Sequence, residues 1–233
     1  VGVRKDEWKT KVRNEMKERP ILFSGPMVRA ILEGRKTMTR RAMKPQPHDG
    51  VDSVEWQDCI ITGCNTPDQS GFAMMRDGVI ESEAIRCHYG APGDRLWVRE
   101  TFGYPEQNED NGVVYRATDP TWDEATTKYC KTMLWNPSIF MPRWASRITL
   151  EITGVRVERL REISGRDAIA EGVEHFTVNV GDATVTTFRD YLTGETNRAA
   201  RQSFETLWKS INGADSWDAN PWVWVVEFRR VEK

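Results

Sequence analysis

The segment Pro221 to Val231 constrains the fold more than any other stretch of the chain. Trp222, Trp224, Val226 and Phe228 point one way along an extended strand, and Val223 and Val225 point the other. Side chains alternate across a strand, so both faces of this one are apolar, which predicts a central strand. The longest strand signal, Ile148 to Leu160, adds a second constraint. Its apolar residues sit on even positions at Ile148, Leu150 and Ile152, then on odd positions at Val155 and Val157. A parity switch at Thr153-Gly154 predicts a β-bulge or sharp bend. Bends of this kind let a sheet curve and close into a small barrel.

The remaining elements fit around these two. Val3 to Glu18 is helix-compatible, with Trp8, Val12 and Met16 on one stripe, and Pro20 ends it before a short buried strand at Ile21-Leu22-Phe23. Pro26 in a first turn and Gly34 just past the last turn bracket a helix that buries Val28, Ile31 and Leu32. Met38 to Met43, Arg95 to Glu100 and Val113 to Ala117 read as strands. Residues 45–92 read as long loops with one hairpin built from Cys59–Thr62 and Ala73–Ile80. Ser164 to Gly172 reads as a short helix with Asp167 completing a partial capping box. His175 to Asp190 reads as a loop, with Val178, Val180 and Val185 forming a flap. Asn197 to Ile211 is a helix whose stripe is Ala200, Phe204, Leu207, Trp208 and Ile211. Together these predict one α+β domain around a mixed barrel, with flanking helices and long loop insertions.

Composition narrows the function. Lys and Arg number 33 against 35 Asp and Glu, a net charge of −2. That is not the balance of a protein that grips duplex nucleic acid mainly by neutralising phosphates. Any nucleic-acid role must rest on a local patch. No apolar run approaches the roughly 18–20 residues of a membrane span, so no membrane partner is expected. The charged start of the chain lacks a secretory apolar core, which makes the cytoplasm the expected compartment. Cys59, Cys64, Cys87 and Cys130 lack the close, regular spacing of zinc ligand pairs, even with His88 beside Cys87. They read as reduced thiols, and no metal or cofactor is expected.

The local patch exists. Arg35 to Lys44 holds five basic residues and no acidic one, and begins directly after the Gly34 turn. In strand register Thr39 and Arg41 share a face, with Lys36 just before them. One reading is a solvated basic strand edge, where Lys and Arg discourage edge pairing. The other is a ligand site with Lys36 as a base and Thr39 as nucleophile or hydrogen-bond partner. Threonine needs a base to attack, and a lysine serves only if its pKa is lowered. Arg35, Arg40 and Arg41 would push in that direction. Glu171, at a helix C-terminus where the dipole disfavours a carboxylate, is the candidate proton donor, with Glu100 as runner-up. Arg143-Trp144 pairs a cation with an aromatic, as base-stacking sites do, or is a core Trp flanked by surface arginines. His48, His88 and His175 carry no assigned role.

The run Gly34-Arg35-Lys36-Thr37-Met38-Thr39-Arg40-Arg41 after a Gly-Pro helix start resembles the signature turn of ASCH domains. Gly93-Asp94-Arg95-Leu96-Trp97-Val98, the bent strand with its following helix, and the closing strand are similar in order. The resemblance spans most of the chain from Pro20 and is nearest to longer members from bacteriophages and prophages. It implies a PUA-like mixed β-barrel at residues 20–233, a helical extension at 1–19, and insertions near 45–92, 103–141 and 174–200. Family members are viewed as RNA- or nucleoside-binding, and some small bacterial ones are amidohydrolases that deacetylate N4-acetylcytidine with a Lys, a Thr and a Glu. The resemblance places these at Lys36, Thr39 and Glu171 and makes Arg41, the motif's closing arginine, a candidate substrate contact; Arg40 from the basic patch and Arg143 and Trp144 from the cation–aromatic pair are further candidate contacts. The implied partner is a modified nucleoside or RNA. A non-catalytic binding module and, behind it, a nuclease are the alternatives, and oligomeric state stays open.

Overall fold

A computed structural model describes residues 16–57, 71–80, 85–104, 112–119, 135–180 and 183–231. In chain order these form β1 (Glu18–Leu22), α1 (Gly25–Leu32), β2 (Met38–Ala42), β3 (Ser53–Gln57), β4 (Gly71–Arg76), β5 (Val79–Ile80), β6 (Arg95–Arg99), β7 (Phe102–Gly103) and β8 (Val114–Tyr115). They continue with β9 (Thr149–Arg159), α2 (Gly165–Ala170), β10 (His175–Val180), β11 (Ala183–Arg189), β12 (Thr196–Asn197), α3 (Ala200–Asn212) and β13 (Trp222–Val231). The architecture is α+β, mostly strands.

The main sheet has the order β1-β6-β9-β13-β2, with β1 parallel to β6 and every other pair antiparallel. β13 therefore lies inside the sheet, and its two faces serve two different cores. Trp222, Trp224, Val226 and Phe228 pack with Ile21, Phe23 and Val28 of the N-terminal segment and with Leu96, Val98, Leu150 and Ile152. Val223 and Val225 pack on the other side with Leu160, Ala168, Phe204 and Trp208. The bulge is present: Glu227 pairs with Gly154 and Phe228 with Ile152, leaving Thr153 without a partner on β13.

The ladder ends at β1 on one side and β2 on the other, so paired strands do not close a barrel. Curling still brings the two edges within one side chain of each other: Arg41 Nη2 on β2 donates to Leu22 O on β1 at 2.7 Å. Pro20 is tolerated inside β1 because an edge strand needs no ladder bond on its outer side.

Several expectations are corrected. The stretch read as helix through Glu18 gives way to strand at Glu18, because β1 pairs with β6 from that residue onward; residues 1–15 lie outside those described. His175 to Asp190 is not a loop but a regular hairpin, β10 on β11, extended by β12. The hairpin expected within 45–92 pairs β3 with β4, and Cys59–Thr62 lies outside the described residues. That insertion is part of the core, since Phe72 of β4 meets Trp224 edge-on at 5.1 Å. α1 buries Val28, Ala30 and Ile31, with Leu32 half-buried. α3 begins at Ala200, three residues later than expected, because Thr196 and Asn197 pair with β11. Ile211 at its far end is 56% exposed. Among the described residues no helix is long and apolar enough to cross a membrane.

Trp224 lies where the insertion and the main sheet meet. Its replacement by alanine leaves a cavity and should cost about 3–5 kcal/mol. Ile211→Ala, at an exposed position, should stay within about 0.5 kcal/mol of the parent. Urea unfolding of both variants measures the difference.

Candidate active site

Three chain segments meet at residues 34–37 through their backbones. Gly34 adopts a positive φ of 75°, which turns the chain out of α1. Lys36 N then donates to Ala30 O at 3.0 Å, and Thr37 N donates to Ala170 O at the end of α2 at 2.9 Å. Phe228 N of β13 donates to Thr37 O at 2.8 Å. The turn is thus fixed to α1, α2 and the sheet before β2 begins. α2 is capped by Ser164, whose hydroxyl accepts from Asp167 N, and it ends at Glu171 with Gly172 at φ 86°.

This junction brings Lys36 and Glu171 together. The Lys36 side chain has no exposed surface, and its Nζ donates to Glu171 Oε2 and to Glu171 O, each at 2.8 Å. Nζ also lies 5.7 Å from the centre of the Phe23 ring. Burial holds the lysine below its ordinary value of 10.5; the Glu171 carboxylate opposes that effect, and the Arg41 and Arg40 charges reinforce it. Arg35, expected to contribute, is instead paired with Glu33 and donates to Gly172 O.

Thr39 is buried on β2 opposite Val226. Arg41, on the same strand face, lies 5.3 Å from the centre of the same Phe23 ring that Lys36 approaches. Its Nε is buried and unpaired among the described residues. Lys36 and Arg41 therefore converge on Phe23, and Thr39 shares the Arg41 face of β2.

Arg40 lies on the other side, and the expectation of a substrate contact is corrected there. Its side chain is fully buried, with Nη1 donating to Glu171 Oε1 at 3.3 Å and Nη2 to Asp167 Oδ2 at 2.8 Å. Glu158 takes both Nε and Nη2. A guanidinium committed to three carboxylates holds Glu171 in place and offers nothing to a ligand. Glu171, for its part, is no lone carboxylate at a helix end, because two cations share it.

Arg143 and Trp144 are placed elsewhere. They follow Pro142 in a short 3-10 turn, where Arg143 pairs with Glu18 and lies 5.9 Å from the Trp97 ring. Trp144 is 69% exposed and stacks on Tyr104 at 6.1 Å, so it is not a core anchor. The contacts of this pair are with Glu18, Thr149, Trp97 and Tyr104, not with Lys36 or Glu171. Glu100 is also separate: it is buried under a two-pronged pair with Arg147, whose guanidinium covers the Tyr115 ring at 3.9 Å.

Glu158, Asp167 and Arg156 were not anticipated as part of this site. Arg156 pairs with Glu158, Asp167 and Glu227 and carries the network outward to solvent. The available signal was the run of charges at even positions after the parity switch, on a strand that must be interior. Among the described residues no cluster of three or more His, Cys, Asp or Glu is placed to hold a metal; Cys59, Cys64 and Cys130 lie outside them.

Gly172 supports the lysine by being small. A Cβ there would come within 2.9 Å of Lys36 Cβ and 3.1 Å of Ala30 Cβ. Gly194 has nearly the same φ but open space around it, so Gly194→Ala isolates backbone strain of about 1 kcal/mol. Gly172→Ala should lower thermal stability by clearly more than Gly194→Ala, the excess measuring the contacts with Lys36 and Ala30. Compared with family models, curated proteins and solved structures, the chain matches none.

Proposed function

We propose that the chain is a cytoplasmic amidohydrolase that removes an acyl group from the exocyclic amine of a modified cytosine nucleoside, N4-acetylcytidine being the type substrate. The observation that carries this reading is the buried Lys36–Glu171 pair, 2.8 Å apart, with the buried Thr39 three residues after the lysine on β2. The resemblance of residues 34–41 to the ASCH turn names Lys36 and Thr39, and that of the helix after the bent strand names Glu171. The proposal also takes the curled main sheet as the core of a PUA-like barrel, a reading supported by the Arg41 bridge from β2 to β1.

Burial and the arginine charges lower the cost of keeping Lys36 as a neutral amine. A neutral amine takes a proton from the Thr39 hydroxyl or from a water as that oxygen attacks the acyl carbon. Glu171 takes that proton from the ammonium and passes it to the departing cytosine amine; where Thr39 is the attacking group, a water then hydrolyses the acyl ester and restores the hydroxyl. Arg41, half-buried beside Phe23, has an unpaired Nε suited to a carbonyl oxygen of the substrate.

A second reading, a module that binds RNA without turning it over, is favoured by one observation: the exposed Tyr104–Trp144 stack with Arg143 alongside, which presents an aromatic face to a base.

Chromatographic detection of cytidine released from N4-acetylcytidine decides between them. Thr39→Val keeps the shape of the strand and should lower kcat/KM by at least about 100-fold, as loss of a nucleophile or of a proton-transfer partner does. The parent's kcat/KM should rise with pH along a limb centred below the ordinary lysine value of 10.5, because the neutral amine is the working form. Absence of cytidine release by the parent, together with binding of single-stranded RNA that weakens in Trp144→Ala, would establish the binding module instead.

A further inference from the structure

Arg40 occupies an unusual place. It belongs to the same strand as Thr39 and Arg41 but faces the opposite core, where its guanidinium lies 5.9 Å from the centre of the Phe204 ring of α3 and 3.4 Å from Met38 Sδ. From there it reaches Oε1 of Glu171, while Lys36 holds Oε2 of the same carboxylate from the other side. One carboxylate is thus divided between two buried cations, one from the turn before β2 and one from β2 itself.

We propose that Arg40 is a positioning residue for the Lys36–Glu171 pair: by occupying Oε1 it leaves a single oxygen to the lysine and sets how much negative charge that amine faces. Its catalytic consequence rests on the reading of Lys36 as the base; the division of the carboxylate does not.

The surrounding charges are arranged for this role. Lys36 faces Glu171 from the end of α2, Arg40 and Arg41 from β2, and the apolar ring of Phe23. Arg40 faces Glu171 and Asp167 from the α2 segment and Glu158 from β9, while α3 offers it only an aromatic ring. Asp167 and Glu158 are each shared with Arg156, which is partly exposed and also paired with Glu227 of β13. Arg40 therefore draws most of its counter-charge from carboxylates nearer the solvent, so Glu171 does not have to neutralise it alone. Without Arg40, the whole of Glu171 would belong to Lys36. Without Asp167, more of Glu171 would belong to Arg40.

The test is the titration of Lys36, followed by NMR of lysines labelled with 13C at Cε, its resonance identified by its loss in Lys36→Met. Arg40→Met should move the Lys36 midpoint to higher pH, a roughly tenfold change in the proton dissociation constant, the scale expected when a neighbouring like charge is removed from a buried site. Asp167→Asn should move it to lower pH. Opposite signs from two substitutions in one network are not expected of residues that merely support the fold. If Arg40→Met does not fold, Glu158→Gln takes its place and should move the midpoint in the same direction as Asp167→Asn. Unchanged midpoints, or shifts of one sign in Arg40→Met and Asp167→Asn, would overturn the proposal. Failure of the parent to release cytidine would overturn the amidohydrolase reading and leave the titration to decide Arg40. With an active parent, the rising limb of kcat/KM should follow the NMR midpoint in each variant.

Discussion

The sharing of one carboxylate by Lys36 and Arg40 is the interaction on which the junction depends. Removing an ammonium, a guanidinium and a carboxylate from water costs several kcal/mol for each ion, and only close geometry with every polar atom engaged offsets it. Here the lysine has two oxygen acceptors and the arginine three carboxylates. Apolar side chains of similar size would fill the same space with no desolvation cost, so stability alone does not account for the arrangement. The backbone contacts of residues 36 and 37 with Ala30, Ala170 and Phe228 hold the pair in register, which ties it to the packing of α1, α2 and β13.

β2 divides labour between its two faces. Met38 and Arg40 face the core containing α3, while Thr39 and Arg41 turn toward Phe23 and the other core. One strand therefore supplies both the groups proposed to meet a ligand and the cation that holds Glu171. Neighbouring residues in a basic run have unrelated environments for this reason: Arg40 is saturated with carboxylates, and Arg41 retains an unpaired nitrogen. A tally of charge along the sequence treats the two as equivalent.

What could be read from the sequence was local. The two apolar faces of the closing strand and the parity switch near Gly154 appear within a few residues, and both correspond to the observed β13 and its bulge. The strand register also separated Thr39 and Arg41 from Arg40 correctly. It could not show what covers each face, and Arg40 was misread as a substrate contact because its partners lie 118 to 131 residues away. Glu171, 135 residues from Lys36, was reached through a helix-end argument and a family resemblance, since no periodicity connects residues so far apart. The β10–β11 hairpin escaped notice because Phe176, Val178 and Val185 remain exposed, so no buried face imposes a pattern on it.

Thr153, unpaired at the bulge, has an effect well beyond local twist. Before it, Ile152 and Leu150 point into the core of Trp224 and Phe228; after it, Arg156 and Glu158 lie opposite Val225 and Val223 and so share the face of Arg40. With one residue fewer there, the same strand would turn both charges into an aromatic interior and present valines to the arginine. The extra residue acts as a phase shift in the chain, and the address of every charge that reaches Arg40 from β9 is written by it.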